Sequence, residues 1–180
     1  MINHKGSIRL ETDRLVLRPF KVNDAQEVFD TWTNDDEVSR FMRWTTHKNV
    51  EETKIWLREE ENNCKSKDYY TWGITLKQTG KLIGSIAAFL RHNEDNRYEV
   101  GYGLGKDYWG QGYATEALKC VMDFLINEVG IKNFICKHAK LNPASGTVMQ
   151  KVGFKYVRDD YYENFDKTKK YECSVYNLEV

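Results

Sequence analysis

The sequence predicts an α+β fold, a central mixed sheet with helices packed against it. Three observations carry that reading. Segments rich in β-branched and aromatic residues run from Tyr69 to Lys77 and from Lys81 to Arg91, and Gln78-Thr79-Gly80 joins them as a hairpin turn. After Gly112, an apolar stripe at three- and four-residue spacing (Ala114, Ala117, Leu118, Val121, Leu125) marks a long amphipathic helix. Further strand segments follow that helix and a second one. Strands therefore arrive both by hairpins and by helical crossovers, and such a sheet is mixed.

Taken in order, Ile8 to Phe20 reads as an extended segment, with Leu15 and Leu17 alternating against Val16 and Arg18. Pro19 ends its ladder, because proline has no N–H to donate. Asn23 offers an N-cap to a short helix whose inner stripe is Ala25, Val28, Phe29 and Trp32. Asn34 to Trp44 is irregular and carries Phe41, Met42 and Trp44. It reads either as a loop or short helix packed on the core, or as one wall of an acceptor site. Asn49 with Glu52 caps a second helix, with Val50, Ile55, Trp56 and Leu57 inside and Glu59, Glu60 and Glu61 on a solvated face. The hairpin strands come next, then a polar turn from His92 to Asn96. Arg97 to Gly105 is the central strand and leads into a glycine-bearing turn. Gly130 is the C-cap of the long helix. Asn133 to Leu141 is a strand, and the block from Asn142 is a helix ending at Gly153. Phe154 to Asp159 and Tyr171 to Glu179 close the sheet around a polar tip.

A chain of 180 residues suits one domain, 1–180, with its core from about 8 to 179. Lysine plus arginine, 27, balances aspartate plus glutamate, 27. No global field draws the chain to nucleic acid or to an anionic membrane. No apolar run reaches the ~18 residues of a membrane span, and MINHKGSIRLE lacks the apolar stretch of a signal peptide. The four cysteines, Cys64, Cys120, Cys136 and Cys173, show no metal-ligand spacing, so no metal is expected. Reduced thiols suit a cytoplasmic location.

The stretch YWGQGYATEAL, Tyr108 to Leu118, organises the rest. A strand, a turn holding Gly110 and Gly112, and a helix N-terminus aim several backbone N–H groups at one spot. The first turn of a helix has no internal acceptors for them, and its dipole adds partial positive charge, so the spot suits phosphate oxygens. No Gly-Lys-Ser/Thr follows, which excludes a P-loop, and Thr115 stands where a dinucleotide fingerprint wants a third glycine or alanine. On pattern alone the turn is either a phosphate cradle or a plain strand-to-helix connection.

This stretch resembles the acetyl-CoA pyrophosphate loop of the GNAT N-acetyltransferases, Arg/Gln-x-x-Gly-x-Gly/Ala, through Gly112 and Ala114. Trp109 stands in the Arg/Gln place. NPASGTVMQKVGF, Asn142 to Phe154, resembles the family's Asn-x-x-Ser/Ala helix and Lys-x-Gly-Phe turn. TDRLVLRPF, Thr12 to Phe20, resembles the opening strand of the RimJ/RimL-type branch, the ribosomal-protein N-terminal acetyltransferases. The resemblance implies the GNAT acyl-CoA N-acyltransferase fold, with a mostly antiparallel sheet. Its central strands, here Arg97 to Gly105 and Asn133 to Leu141, splay into a V that admits the pantetheine arm. It implies acetyl-CoA as cosubstrate, held by Gly103, Leu104, Trp109, Gly110, Gln111, Gly112, Tyr113, Ala114, Thr115, Asn142 and Ser145. The acceptor it implies is a protein or peptide N-terminus. An antibiotic, polyamine or amino acid remains the alternative acceptor, and a CoA-binding module without catalysis the alternative class. A homodimer is an expectation carried by such domains.

N-acetyl transfer needs a neutral amine, a polarised thioester carbonyl and a partner for the leaving sulfur. An α-amine with a pKa of about 7.7–8.0 is roughly one-quarter neutral near pH 7.4, whereas a lysine at about 10.4 is ~0.1 % neutral. An α-amine therefore needs only a weak base or a water relay. Glu99 is the candidate base by resemblance to related enzymes; the other reading is an ordinary partner for Arg97, which shares its strand face. Where many GNAT enzymes place an acidic tyrosine this chain has Met149, which cannot donate a proton. The RimJ/RimL-type branch also tends to lack the tyrosine, and its serine three residues after the Asn is the candidate instead; the resemblance thus implies that Ser145 hydrogen-bonds the departing sulfur, the other reading being a cap of its own helix. Backbone N–H groups from Gly103 to Gly105 are candidates to polarise the carbonyl. His138 reads as a core residue rather than a catalytic one.

Overall fold

The hairpin signals in the middle of the chain are met strand for strand. The computed structural model describes residues 2–180. Its strands are β1 (Leu10–Glu11), β2 (Leu15–Arg18), β3 (Tyr70–Leu76), β4 (Leu82–Arg91), β5 (Arg97–Leu104), β6 (Asn133–Ala139), β7 (Lys155–Glu163) and β8 (Lys170–Glu179). They form one sheet in the order β1-β2-β3-β4-β5-β6-β8-β7. Only β5 and β6 run parallel; every other neighbouring pair is antiparallel. The α-helices are α1 (Ala25–Val28), α2 (Asp36–Ser39), α3 (Val50–Asn63), α4 (Tyr113–Asp123) and α5 (Pro143–Lys151).

Each face of the sheet buries its own apolar set. The predicted stripe of α4 holds: Ala117, Leu118, Val121 and Leu125 pack against Leu15, Leu17, Tyr70, Trp72, Tyr98 and Val100. The helix continues as a wider π-type turn over Phe124–Val129 and stops at Gly130, whose φ of +88° is the left-handed conformation of a C-cap. On the opposite face Phe20, Val28, Trp32, Leu57 and Leu82 gather under α1 to α3. Among the described residues no helix is long and apolar enough to cross a membrane.

Three sequence expectations are corrected. Ile8 to Phe20 is a tight hairpin rather than one strand: the hydroxyl of Thr12 accepts from the Leu15 N–H at 2.8 Å, and Leu10 comes opposite Leu17. The helix after Pro19 is entered through Asp24 rather than Asn23. Its carboxylate accepts from the Lys21 N–H at 2.8 Å and from both terminal nitrogens of Arg18. In α3 the Asn49 cap is present, accepting from the Glu52 N–H at 3.2 Å. Its buried face, however, is Thr53, Leu57 and Glu60, while Ile55 is 55 % exposed. Glu60 is buried because the Trp56 indole N–H and the Tyr69 hydroxyl both donate to it, at 3.2 and 2.9 Å. Burial raises its carboxyl above the usual range, against those hydrogen bonds.

Candidate active site

The glycine turn forms a cradle whose shape depends on two left-handed residues. Gly110 has φ +69° and Gly112 has φ +82°, a region where a Cβ is strained. Gly112 caps α4, its carbonyl accepting from the Glu116 N–H at 3.0 Å. The N–H groups of Tyr113, Ala114 and Thr115 occupy the first helical turn, where the helix itself offers no acceptor.

The side chains of the turn fold back onto it. Trp109 donates its indole N–H to the Leu104 carbonyl at 2.8 Å, and Gln111 donates to the Asp107 carbonyl at 2.8 Å. Neither brings charge to the cradle. The guanidinium there belongs to Arg14, from the β1–β2 turn. It donates to the Gln111 carbonyl at 3.0 Å and to Glu116 at 2.7 Å, and lies 4.4 Å over the Tyr113 ring. Burial works against the Glu116 charge, but hydrogen bonds from Thr12 and Arg14 outweigh it and hold the carboxyl below its ordinary value. Sequence reasoning missed Arg14, which sits in the β1–β2 turn outside the β2 apolar pattern, so no local signal pointed to it.

The V is visible in the ladder. β5 and β6 pair at Tyr98–Phe134 and Glu99–Ile135 and then separate. Beyond that point the Val100 carbonyl receives the Cys136 thiol at 3.1 Å instead of a backbone N–H. Gly105 donates to the Ile83 carbonyl at 2.8 Å, so by alternation along the unbroken β4–β5 register the odd residues of β5 bond β4. The even residues, Tyr102 and Leu104, turn their backbone groups into the V. This narrows the expected carbonyl-polarising donors: Leu104 remains, Gly103 and Gly105 face away, and Tyr102 joins.

On the far wall stands α5. Asn142 is its N-cap residue but makes no capping bond with its side chain, leaving that amide uncommitted. The Tyr102 hydroxyl crosses the V, donating to the Ser145 carbonyl at 2.9 Å and lying 3.1 Å from the Ser145 hydroxyl. Desolvation pushes the Tyr102 phenol far above its ordinary value, so it stays a donor. Tyr102 was not foreseen, because its partner lies forty-three residues away on another element. Met149 is buried in the core. His138 packs under α5, its Nδ1 2.9 Å from the Ala139 carbonyl and its Nε2 against Gly146, where a Cβ would come within 2.5 Å.

The other face of β5 carries Glu99, Gly101 and Gly103. Gly101 is exposed in mid-strand, and a Cβ there would meet nothing within 4 Å. Glu99 does not pair with Arg97, which goes to Glu179 at 2.7 Å. Its two oxygens accept instead from Arg43 at 2.8 Å and Arg91 at 2.7 Å. The Asn34 to Trp44 stretch holds the short helix α2 and is strapped to the β7–β8 hairpin. Tyr162 donates to the Phe41 carbonyl and Tyr171 to the Arg40 carbonyl, each at 2.6 Å, and the Phe165 N–H reaches the Arg43 carbonyl at 2.6 Å.

With this geometry in hand, the acetyltransferase (GNAT) domain model matches residues 14–155. The chain belongs to the GNAT acetyltransferases. This acetyltransferase is an acetyl-CoA-dependent acyltransferase that acts on an amine. It is 28 % identical to the N-acetyltransferase YoaA of Bacillus subtilis over 172 residues, 94 % of this chain and 95 % of that one. Among solved structures, a GNAT-family acetyltransferase from Bacillus anthracis superposes with TM-score 0.80 at 20 % identity, covering 96 % of this chain and 98 % of that one. RimL, a ribosomal L7/L12 alpha-N-protein acetyltransferase solved with coenzyme A, superposes with TM-score 0.81 at 16 % identity, covering 96 % and 98 %. At such identities these two show the fold. The acetyltransferase's own residues fit the cosubstrate. Unbonded first-turn N–H groups suit a diphosphate, and the free Asn142 amide and the inward backbone of Tyr102 and Leu104 suit an amide-bearing arm in the V.

Proposed function

We propose that this acetyltransferase modifies the N-terminal α-amine of a protein or peptide, as the ribosomal-protein branch does. The observation that carries the reading is the acceptor face over Gly101. It is open, and the carboxylate beside it, Glu99, is covered by two guanidiniums, unlike the closed acidic pocket that a polyamine or aminoglycoside would want. The likeness in fold to RimL supports it.

In the proposed reaction the N–H groups of Tyr113, Ala114 and Thr115 hold the diphosphate, with Gly103 to Thr115 as the surrounding cradle. The Asn142 amide holds the pantetheine arm. The inward N–H groups of Leu104 and Tyr102 polarise the thioester carbonyl. Ser145, supported by the Tyr102 hydroxyl, hydrogen-bonds the sulfur as the C–S bond breaks and the C–N bond forms. The amine proton leaves to a water held by Glu99 through the lone pairs its two guanidiniums do not use. An α-amine, roughly one-quarter neutral near pH 7.4, asks for no stronger base.

The test is release of CoA thiol from acetyl-CoA with two acceptor pools, short peptides of varied N-terminal residue and small amines including aminoglycosides and polyamines. Turnover of the peptides is the expected result. Turnover confined to the small amines overturns the acceptor assignment and leaves the donor site intact.

A further inference from the structure

We propose that the acceptor carries an anionic group, a carboxylate or phosphate, within a few bonds of its amine, and that Arg43 and Arg91 bind it. The inference rests on the acceptor face assigned above and deepens it. One arginine is enough to pair a buried carboxylate. Glu99 has two, brought from separate elements: Arg43 from the strap after α2 and Arg91 from the end of β4. Two positive charges against one negative leave a surplus of one.

That surplus is not used within the protein. Arg43 bonds Glu99 through one Nη and Arg91 through its Nε, and among the described residues neither guanidinium makes another side-chain hydrogen bond. Each has five N–H donors, so four remain on each. Their side chains are 28 % and 32 % exposed, whereas Glu99 is 10 % exposed beneath them. The charge to be satisfied therefore lies outward, toward the cleft.

The guanidiniums are also held for planar recognition. Arg43 lies 5.3 Å over the Tyr162 ring and Arg91 5.8 Å over the Phe89 ring. A fixed, stacked guanidinium suits bidentate contact with a carboxylate or phosphate. Nearby charge does not cancel the surplus: in the β7–β8 tip Lys167, Lys169 and Lys170 exceed Glu163 and Asp166 by one. Arg40, stacked 5.0 Å over Phe41 on the same strap, makes no ion pair among the described residues. Glu99 and Gly101 lie two residues apart, ~7 Å along the strand. An anion held at Arg43 and Arg91 thus leaves an amine within reach of the V when a few bonds join the two.

Two sources meet that description: an acidic side chain at the second or third position of a peptide, and a small amine that itself bears a carboxylate or phosphate. The experiment measures kcat/KM for peptides alike except for Asp, Ala or Lys at positions two and three, beside acidic amino acids and an aminoalkyl phosphate. Acidic peptides should exceed basic ones by about tenfold or more, the scale of one charged hydrogen bond. The preference should shrink as salt rises. R43Q and R91Q should each compress that ratio through the acceptor KM with the KM for acetyl-CoA unmoved, and R43K and R91K should restore part of it. Peptides turned over without regard to charge overturn this inference while sustaining the N-terminal one. Acidic small amines turned over with no peptide active do the reverse. If the variants melt below assay temperature, the charge preference and salt dependence of the unaltered protein decide.

Discussion

Replacing Gly112 with alanine tests whether the left-handed cradle, rather than the mere presence of a helix end, makes the cosubstrate site. At φ +82° an L-residue costs ~1–2 kcal/mol. Alanine also restricts the unfolded chain, which returns ~0.4–1 kcal/mol. The difference is about 1 kcal/mol, and in a chain of this size that lowers Tm by ~2–4 °C. The new Cβ would stand 3.3 Å from the Arg14 Nη2, the mobile end of a side chain, so contact adds little. Gly110→Ala is the matched control: φ is +69° and the Cβ would meet nothing within 4 Å, so it reports the backbone cost alone. Where the loop relaxes instead of storing strain, the N–H groups of the first α4 turn rotate away, and the KM for acetyl-CoA rises. Thermal melts with and without acetyl-CoA, together with that KM, read both routes. Saturating acetyl-CoA at about a hundred times its Kd adds ~2.7 kcal/mol to the unaltered protein, and less to either variant. Two variants that melt with the parent and keep its KM would refute the reasoning.

Other outcomes follow from single contacts. Tyr102→Phe removes one neutral hydrogen bond of ~0.5–1.5 kcal/mol, so kcat should fall about two- to tenfold. Ser145→Ala should likewise slow the chemical step more than it weakens acetyl-CoA binding. Because the two hydroxyls lie 3.1 Å apart, the double variant should lose less than the sum of the two. Additive losses measured by single-turnover kinetics would show that they act separately. Glu99→Gln should depress turnover most at low pH, where the amine most needs a base, and a pH profile parallel to the parent's would remove Glu99 from proton transfer. Glu60 has a carboxyl raised above 4.5 by burial, so the folded state binds its proton more tightly than the unfolded one. Its contribution to stability is present below 4.5 and is lost as pH rises through the higher folded value. The Tm difference between Glu60→Gln and the parent should therefore widen in favour of the variant over that window; a constant difference would contradict it.

What the sequence disclosed and what it withheld divide along the range of the interaction. Gly80, Gly130, Gly153 and the Asn49 cap were legible because each acts within a turn of its own position. The α4 stripe was legible because its period is local. The cradle glycines could be named, but the cation beside them could not: Arg14 reaches Gln111 from ninety-seven residues away. Glu99 was singled out correctly as a residue of interest, yet its partners came from a strap and a neighbouring strand rather than from Arg97 on its own. Glu60 looked like one of three solvated glutamates until Tyr69, nine residues on, folded back to donate to it. Tyr102 was invisible as well. Its ring reads as one more apolar strand residue, and only the packing of α5, forty-three residues on, gives its hydroxyl a partner.

The parting of β5 from β6 has a mechanical corollary. With two ladder pairs between β5 and β6, the eight strands form two rafts joined at one end. The joined end is pinned by ions: Arg97 to Glu179 at 2.7 Å, Lys137 to Glu94 at 2.6 Å and Arg158 to Glu94 at 2.8 Å. Lys137 and Glu94 are 10 % and 14 % exposed, so salt screens that pin weakly. At the open end the ties are neutral hydrogen bonds: Tyr102 to Ser145 of α5, and Tyr162, Tyr171 and Phe165 of the β7–β8 hairpin to the Phe41, Arg40 and Arg43 carbonyls. The aperture is thus held by charge at one end and by neutral hydrogen bonds at the other, and it is at the neutral end that a guest entering the molecule must do its work.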